Sequence, residues 1–394
     1  MTGLNHDLAL AKDCDQRARE RFTSSLRAYT LVDLAEQMRS DYGIASKAEG
    51  ASHATGEAVH DFLKSRDLFR WYSSLRCTAQ ELVWQTTLNA IAADSHSLAH
   101  LTGEANSGKT ASAGGSLTLD PGLVPPDYTT KMDVHLMPGN YQGQNDPLSA
   151  VPGAIYDNGL EVFSFGVMGE NLDDIGHSMA QFTRQRWPDL SVSKVLDVGC
   201  TIGHNTLPWK QAFPDAEIHG LDIAAPCLRY GHARAEALGV PVHFQQASCE
   251  HLPYDDASVD VVFSSMFLHE LPTELINQFF KEAFRVLRQG GVLINMELPP
   301  NDALPPYDAF YLDWDCFYNN EPFYKEFRDL SYPGICAQAG FAPALFFEAT
   351  LPRYTYSEPE DFSAAVARAA EFDEDTGRLS DTITWYAFGN QKQD

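Results

Sequence analysis

Val195-Leu196-Asp197-Val198-Gly199-Cys200-Thr201-Ile202-Gly203-His204-Asn205-Thr206 is the stretch on which the reading of this chain turns. A short apolar run ends at an acid, and two glycines then open a turn into a helix. That order predicts a buried parallel strand, a tight turn and a helix N-terminus facing a nucleotide-like ligand. Further on, Ile218-His219-Gly220-Leu221-Asp222-Ile223 predicts a second strand tipped by a carboxylate, the position that grips a ribose diol. A plainer reading makes Asp222 the cap of a helix starting near Ala224.

The spacing is not that of G-x-G-x-x-G, because three residues separate Gly199 from Gly203. Asp197 stands at the turn, where it repels a phosphate and favours a ligand with a cationic end. Downstream, Gln246 to Tyr254 reads as the segment after a third strand, and Ser258 to Ser265 as a fourth strand and its edge. Leu275 to Leu287 predicts an amphipathic helix. The pair Gly290-Gly291 then stops it before a fifth strand, Val292 to Met296.

These ordered elements, from Asn171 to Glu297, resemble the class I S-adenosylmethionine (SAM)-dependent methyltransferases, whose first motif is written D/E-x-G-x-G-x-G. Thr201 stands in for the middle glycine. The resemblance implies an α/β, Rossmann-like seven-stranded domain, ordered 3-2-1-4-5-7-6 with the seventh strand antiparallel, beside an additional helical N-terminal region. It implies SAM as cofactor and S-adenosylhomocysteine (SAH) as product. The implied cofactor residues are Asp197, Gly199, Cys200, Thr201, Gly203, His204, Asn205, Asp222, Ile223, Ser248, Cys249, Glu250 and Ser265. Among them Asp222 would hold the ribose, Asp197 water or the methionine ammonium, and His204 the cofactor rim. Ser248 stands where many relatives carry Asp.

Composition sets limits. The chain has 394 residues, 44% apolar and 21% charged, ordinary values for a soluble globular protein able to bury a sizeable core. Its formal charge of −26 repels nucleic acid and anionic membranes, and suits a salt-adapted surface equally well. Seven scattered cysteines with no C-x-x-C pair make neither a disulfide framework nor a zinc site, so no metal is expected. The first 20 residues are polar and no apolar run is of membrane-spanning length. A cytoplasmic protein acting on a small molecule is the resulting expectation, with no nucleic-acid or membrane partner.

Residues 1–145 are expected to be a helical N-terminal region ending in a linker, and 146–394 the methyltransferase domain with an aromatic insertion at 298–333. Asp15 to Met38, Glu57 to Leu68 and Thr78 to Ala93 carry helical apolar spacing, whereas Gly103 to Asn145 reads as linker or mobile loop. The helical arm leaves open a lid, a homodimer interface, or both. Pro147 to Met168 reads as irregular, and Asn171 to Arg186 as a helix. Gly103 to Thr110 matches G-x-x-x-x-G-K-[ST] letter for letter, but no strand precedes it and glycines follow it, so it is set aside as a phosphate loop.

His269, at the mouth of the fourth strand, is the candidate general base, since an imidazole titrates near working pH. The plainer reading is a rim residue. Tyr156, Tyr307, Tyr311, Trp314 and Tyr318 are candidate substrate contacts; with the insertion's acids they suit a cationic or amphipathic substrate. Aromatics at that spacing more often mean helix-to-core packing. The resulting expectation is methyl transfer from SAM to N, O or S of a small molecule, mainly by proximity and in-line orientation. Two readings stay beside it: an O-methyltransferase using His269 as base, and a non-catalytic SAM-binding assembly protein.

Overall fold

Val195, Leu196 and Val198 are fully buried at the centre of the sheet, packed into apolar layers on both faces, as a strand covered by helices on each side must be. The computed structural model describes residues 4–107, 113–143 and 149–393. Its strands are β1 Ser116–Thr118, β2 Lys194–Val198, β3 Glu217–Asp222, β4 His243–Gln246, β5 Val259–Ser265, β6 Leu287–Glu297, β7 Phe346–Pro352 and β8 Thr384–Gln391. They form one sheet in the order β1-β4-β3-β2-β5-β6-β8-β7. Strands β1 to β6 run parallel, and β8 is antiparallel to both β6 and β7.

Seven of these follow the expected order. The eighth, β1, is a correction: it extends the sheet beyond β4 from within the stretch expected to be linker. The order reverses between β2 and β5, so the ligand crevice opens at the carboxyl ends of these two strands. One apolar layer, around Trp209 and Phe263, covers one face of the sheet; a second, around Phe279 and Phe388, covers the other. The Gly290-Gly291 pair does not separate helix from strand, because Thr273–Val286 passes straight into β6 and the glycines lie inside that strand.

The N-terminal arm contains helices Cys14–Ala28, Ala35–Glu49, Gly56–Leu63 and Asp67–Asn106, with a π-helical turn at Tyr29–Leu34. Asp13 accepts from the Gln16 amide at 2.7 Å, and Gly50 closes Ala35–Glu49 at φ 62°, as a cap and a left-handed stop should. Gly103–Asn106, the start of the phosphate-loop look-alike, is helical, while Gly108, Lys109 and Thr110 lie outside the described residues. Among the described residues no helix is long and apolar enough to cross a membrane.

Pro147 to Met168 is a second correction, since Val151–Phe163 is a helix. Its glycines read as breakers but are packing sites. A Cβ on Gly153 would lie 2.3 Å from the Tyr230 Cβ, and one on Gly159 2.5 Å from the Trp84 ring.

The aromatic insertion gives the third. Helix Pro306–Tyr318 turns most of its rings to the arm. Tyr307 packs on Tyr42 with centroids 5.0 Å apart. The Trp314 Nε1 donates to Ser73 Oγ at 2.9 Å, and the Tyr318 hydroxyl bonds the His60 Nε2 at 2.9 Å. A Cβ on Gly56 would sit 2.8 Å from the Phe310 amide nitrogen, so the two helices touch backbone to backbone. At about 1.5–3 kcal/mol per buried large apolar side chain, arm packing alone accounts for the stripe. Tyr307, Trp314 and Tyr318 therefore belong to this interface and line no cavity that meets the crevice; Tyr311 does.

Candidate active site

The turn after β2 is held by backbone geometry. The amides of Gly199 and Cys200 both donate to the Leu221 carbonyl, at 2.8 and 3.1 Å. Gly199 has φ 78°, and a Cβ there would lie 2.3 Å from the Phe267 ring, so the position has room only for hydrogen. Thr201 adopts φ 50°, a left-handed conformation that a β-branched residue takes at a cost of about 1–3 kcal/mol. What holds it is Asp222, whose Oδ2 accepts from the Thr201 amide at 2.9 Å. Gly203, at φ 80°, packs under Phe244 and Leu207 and supports the turn without lining either cavity.

Two cavities meet at this turn. The smaller, of about 80 Å³, is lined by Asp222, Ile223, Phe267 and Tyr128 among others. The larger, of about 210 Å³, extends from Asp197, His204 and Asn205 to the arm. They share Tyr141, Gly199, Thr201 and Met266. Cys200 and Ser265 also line the larger one, and Asn205 donates to the Ser265 hydroxyl at 3.1 Å. Ser248, Cys249 and Glu250 line neither: Cys249 is in the core, and Ser248 and Glu250 bond to each other.

Asp222 caps the following helix and also faces the smaller cavity. Its Oδ1 accepts from the Ala224 amide at 2.8 Å, at the entry to helix Ala225–Ala237, while the carboxylate faces the smaller cavity. Burial raises its pKa against those amide bonds. Asp197 is 1% exposed; its Oδ2 accepts from the Thr206 hydroxyl at 2.6 Å and its Oδ1 has no partner. Burial, opposed by the Thr206 bond and aided by Asp222, pushes its pKa up to about 7. An unpartnered acidic oxygen beside a glycine turn suits an ammonium group. Together with Asp222 at the smaller cavity and a turn closed to any Cβ, these residues fit SAM.

His204 is more tightly held than a rim residue. Its Nε2 lies 2.7 Å from Asp157 Oδ1, and its buried Nδ1 has no partner. Asp157 also accepts from the Tyr230 hydroxyl at 2.7 Å and faces His6 Nε2 at 3.0 Å and Arg234 Nε at 3.6 Å. Burial and then Arg234 lower the His204 pKa, leaving a neutral ring.

At the far side of the larger cavity, His269 is 2% exposed, with Nδ1 2.7 Å from Glu297 Oε2 and Nε2 4.0 Å from Glu321 Oε2. Burial works against its charge, but Glu297, Glu270 and Glu321 outweigh it and push the pKa up to about 9. The ring is thus an imidazolium at neutral pH and does not stand ready as a base. Glu297 also accepts from the Phe267 and Leu268 amides at 2.7 and 2.6 Å. His135 bridges Glu270 Oε1 at 3.0 Å and Glu321 Oε1 at 2.9 Å. Burial raises the Glu321 pKa, and its Oε2 is unpartnered.

Tyr156 and Tyr311 line this cavity as expected. Asp157, His135 and Glu297 escaped the sequence, as did Arg27, Arg76 and Arg378, whereas Asp315 and Glu321 were among the insertion's acids expected near a substrate. Lone charged residues far apart in the chain carry no spacing signal; only Glu297, at the tip of a predicted strand, offered one.

Comparison with known proteins bears on the same region. A family described as "Methyltransferase domain" matches residues 195–291. The demethylmenaquinone methyltransferase of Thermus thermophilus is 32% identical over 139 residues, 34% of this chain and 60% of that protein. The ubiquinone/menaquinone biosynthesis C-methyltransferase of Bartonella tribocorum is 31% identical over 163 residues, 38% of this chain and 62% of that protein. The chain thus spans about three fifths of the length of these relatives. Phosphoethanolamine N-methyltransferase 2 of Haemonchus contortus, solved with SAM, aligns at 14% identity over 69% of this chain and 61% of its own, with a TM-score of 0.43. Residues 195–291 match a methyltransferase domain, and over this region the chain is similar to the methyltransferases named above.

Proposed function

We propose that this protein transfers the methyl group of SAM to a small-molecule acceptor enclosed between the sheet and the N-terminal arm. The observation that carries the reading is the junction of the two cavities at Gly199, Thr201 and Met266, which sets the cleft beside Asp222 next to a larger chamber under the arm. When bound, the donor supplies a methyl group on a positive sulfur, and the C–S electron pair leaves with the sulfur. Asp222 would hold the ribose hydroxyls, and Asp197 with the free His204 Nδ1 the methionine ammonium. Tyr156, Leu160 and Met168 exclude water from the transfer step.

The proton of an acceptor O–H or N–H goes to Glu321 in this reading, not to His269. Glu321 lines the chamber and its buried Oε2 is unpartnered, 4.0 Å from the His269 Nε2, so a group that reaches the pair meets an acceptor on one side and a cation on the other. The acceptor's lone pair then forms the new bond to carbon as that proton leaves. Orientation supplies most of the rate, equivalent to about 7–11 kcal/mol for well-aligned groups. Labelled methyl transfer from SAM to an acceptor library, run on the wild type and Glu321→Gln, tests both parts. Wild-type turnover that falls at least ten-fold in the variant supports them; no turnover with any acceptor contradicts the reading.

A further inference from the structure

The chamber holds more positive charge than its own carboxylates match. Arg76 is satisfied by Asp315 at 2.7 Å and the Tyr72 hydroxyl at 3.1 Å, and His269 and His135 have their glutamates. Arg27 has no such partner. It is 2% exposed, donates from Nε to the Phe163 carbonyl at 2.8 Å and from Nη1 to the Gln80 side-chain oxygen, and lies 3.7 Å over the Phe163 ring. Among the described residues it makes no ion pair and its Nη2 donates to no protein atom. Burial, with Arg76 nearby, pushes its pKa down to about 9, which is the mark of a guanidinium short of counter-charge.

Arg378 is little better matched, its Nη2 reaching only the Leu31 carbonyl at 3.5 Å. It is 8% exposed, its Nε has no partner, and its nearest carboxylate, Glu36, is 3.9 Å away on a solvent-facing side chain. Its guanidinium lies 4.9 Å over the Tyr311 ring, and Tyr311 in turn donates to the Leu31 carbonyl at 3.1 Å. Leu31 sits in the π-helical turn four residues after Arg27. Both arginines line the chamber. Two guanidiniums withdrawn from water with one distant, solvent-exposed carboxylate between them cost several kcal/mol unless an anion joins them. The planar N–H fork of each matches an oxyanion. The methionine end of the donor brings one carboxylate. The side chains that Arg27 and Arg378 touch come from the arm, Phe163 and Tyr311, not from the glycine turn.

Building on the methyl-transfer reading, we propose that the acceptor is an apolar acid whose carboxylate or phosphate is held by Arg27 and Arg378 while its body fills the chamber among Leu31, Leu160, Leu172, Leu379 and Ile383. This replaces the cationic substrate expected from the insertion's aromatics and acids, because Tyr307, Trp314 and Tyr318 pack on the arm and Asp315 is engaged by Arg76.

The test titrates phenylacetate, phenyl phosphate and neutral phenylacetamide into SAH-saturated protein by calorimetry. At least one anion is expected to bind ten-fold or more tighter than the amide, and the tighter of the two tells carboxylate from phosphate. That preference should fall below about two-fold in Arg378→Met and Arg27→Met and persist in Arg27→Lys, with SAH affinity within about three-fold of wild type. Equal binding of anions and amide by the wild type, or no binding of either anion, overturns the proposal without needing a variant. So does an anion preference that survives in both Met variants. Loss of SAH affinity in Arg27→Met with the preference intact would give that arginine to the donor's carboxylate and overturn it too. Failure of the wild type to bind SAH at all is a separate result, striking first at the methyl-transfer reading.

Discussion

The two halves of the crevice are built from chain in opposite ways. The donor half takes its turn and both its carboxylates from one stretch, Asp197 to Asp222, in which backbone amides and two glycines do the positioning, while Tyr128 and Asn140 line it from outside that stretch. The acceptor half gathers Arg27, Trp84, His135, Tyr156, Tyr311 and Arg378 from separate segments, and positions them by ion pairs and ring contacts. The first half is shaped by short-range geometry and shares its pattern with relatives. The second depends on how the arm and insertion close over the sheet, so under the proposed reading it would set the choice of acceptor.

If that contrast holds, damage to the donor half should abolish binding of any adenosyl ligand, while damage to the acceptor half should spare it. The largest effect is expected for Gly199→Val, where the added side chain meets the Phe267 ring; SAH binding by calorimetry should become undetectable in a folded protein. Asp222→Ala should follow, weakening SAH by roughly 10- to 100-fold through loss of hydrogen bonds to a charged group. Tyr311→Phe, in the acceptor half, should leave SAH affinity within about two-fold, as no donor-half residue touches its hydroxyl. Comparable loss of SAH in Tyr311→Phe would break the comparison.

The two halves also titrate differently. His269 in the folded protein has its pKa raised to about 9 from an ordinary 6.5, so its contribution to stability is full below 6.5 and is lost as pH rises through about 9. The groups facing it are Glu297, Glu270, Glu321 and the Tyr324 ring. Glu297→Gln should flatten the stability decline between those values in urea titrations. Asp197 acts in a lower window: the folded state keeps its proton up to about 7 against 3.8 in the unfolded chain, so stability falls as pH rises across that range. An ammonium beside Asp197 reverses this, and SAH binding at pH 7 should release roughly half a proton, read from calorimetry in buffers of different ionisation enthalpy. The smallest effect is Thr201→Gly, which relieves the left-handed strain and should change stability by under about 1 kcal/mol, raising it if strain outweighs the entropy of the unfolded chain.

What was legible in the sequence follows the same division. Strands β2 to β6 and the turn between β2 and its helix announce themselves because each needs a particular local pattern: an apolar run, a glycine at positive φ, an acid at a strand tip. Strand β1 is three residues long beside small polar residues, and it exists because β4 offers an open edge. Helix Val151–Phe163 was hidden by Gly153 and Gly159, which serve contacts with Tyr230 and Trp84 that only the tertiary fold creates. The insertion's aromatic spacing was real, but three of its four candidate rings answer to the arm. Arg27 and Arg378 lie 351 positions apart in the chain and meet one cavity, a relation that no local pattern encodes.

The most direct test of the account is calorimetric binding of SAH to the wild type and to Asp222→Ala, followed by labelled methyl transfer to an acceptor library. The account predicts SAH binding that weakens sharply in the variant, with methyl transfer by the wild type to at least one small molecule. Absence of SAH binding by the folded wild type, or equal binding by both proteins, would contradict it.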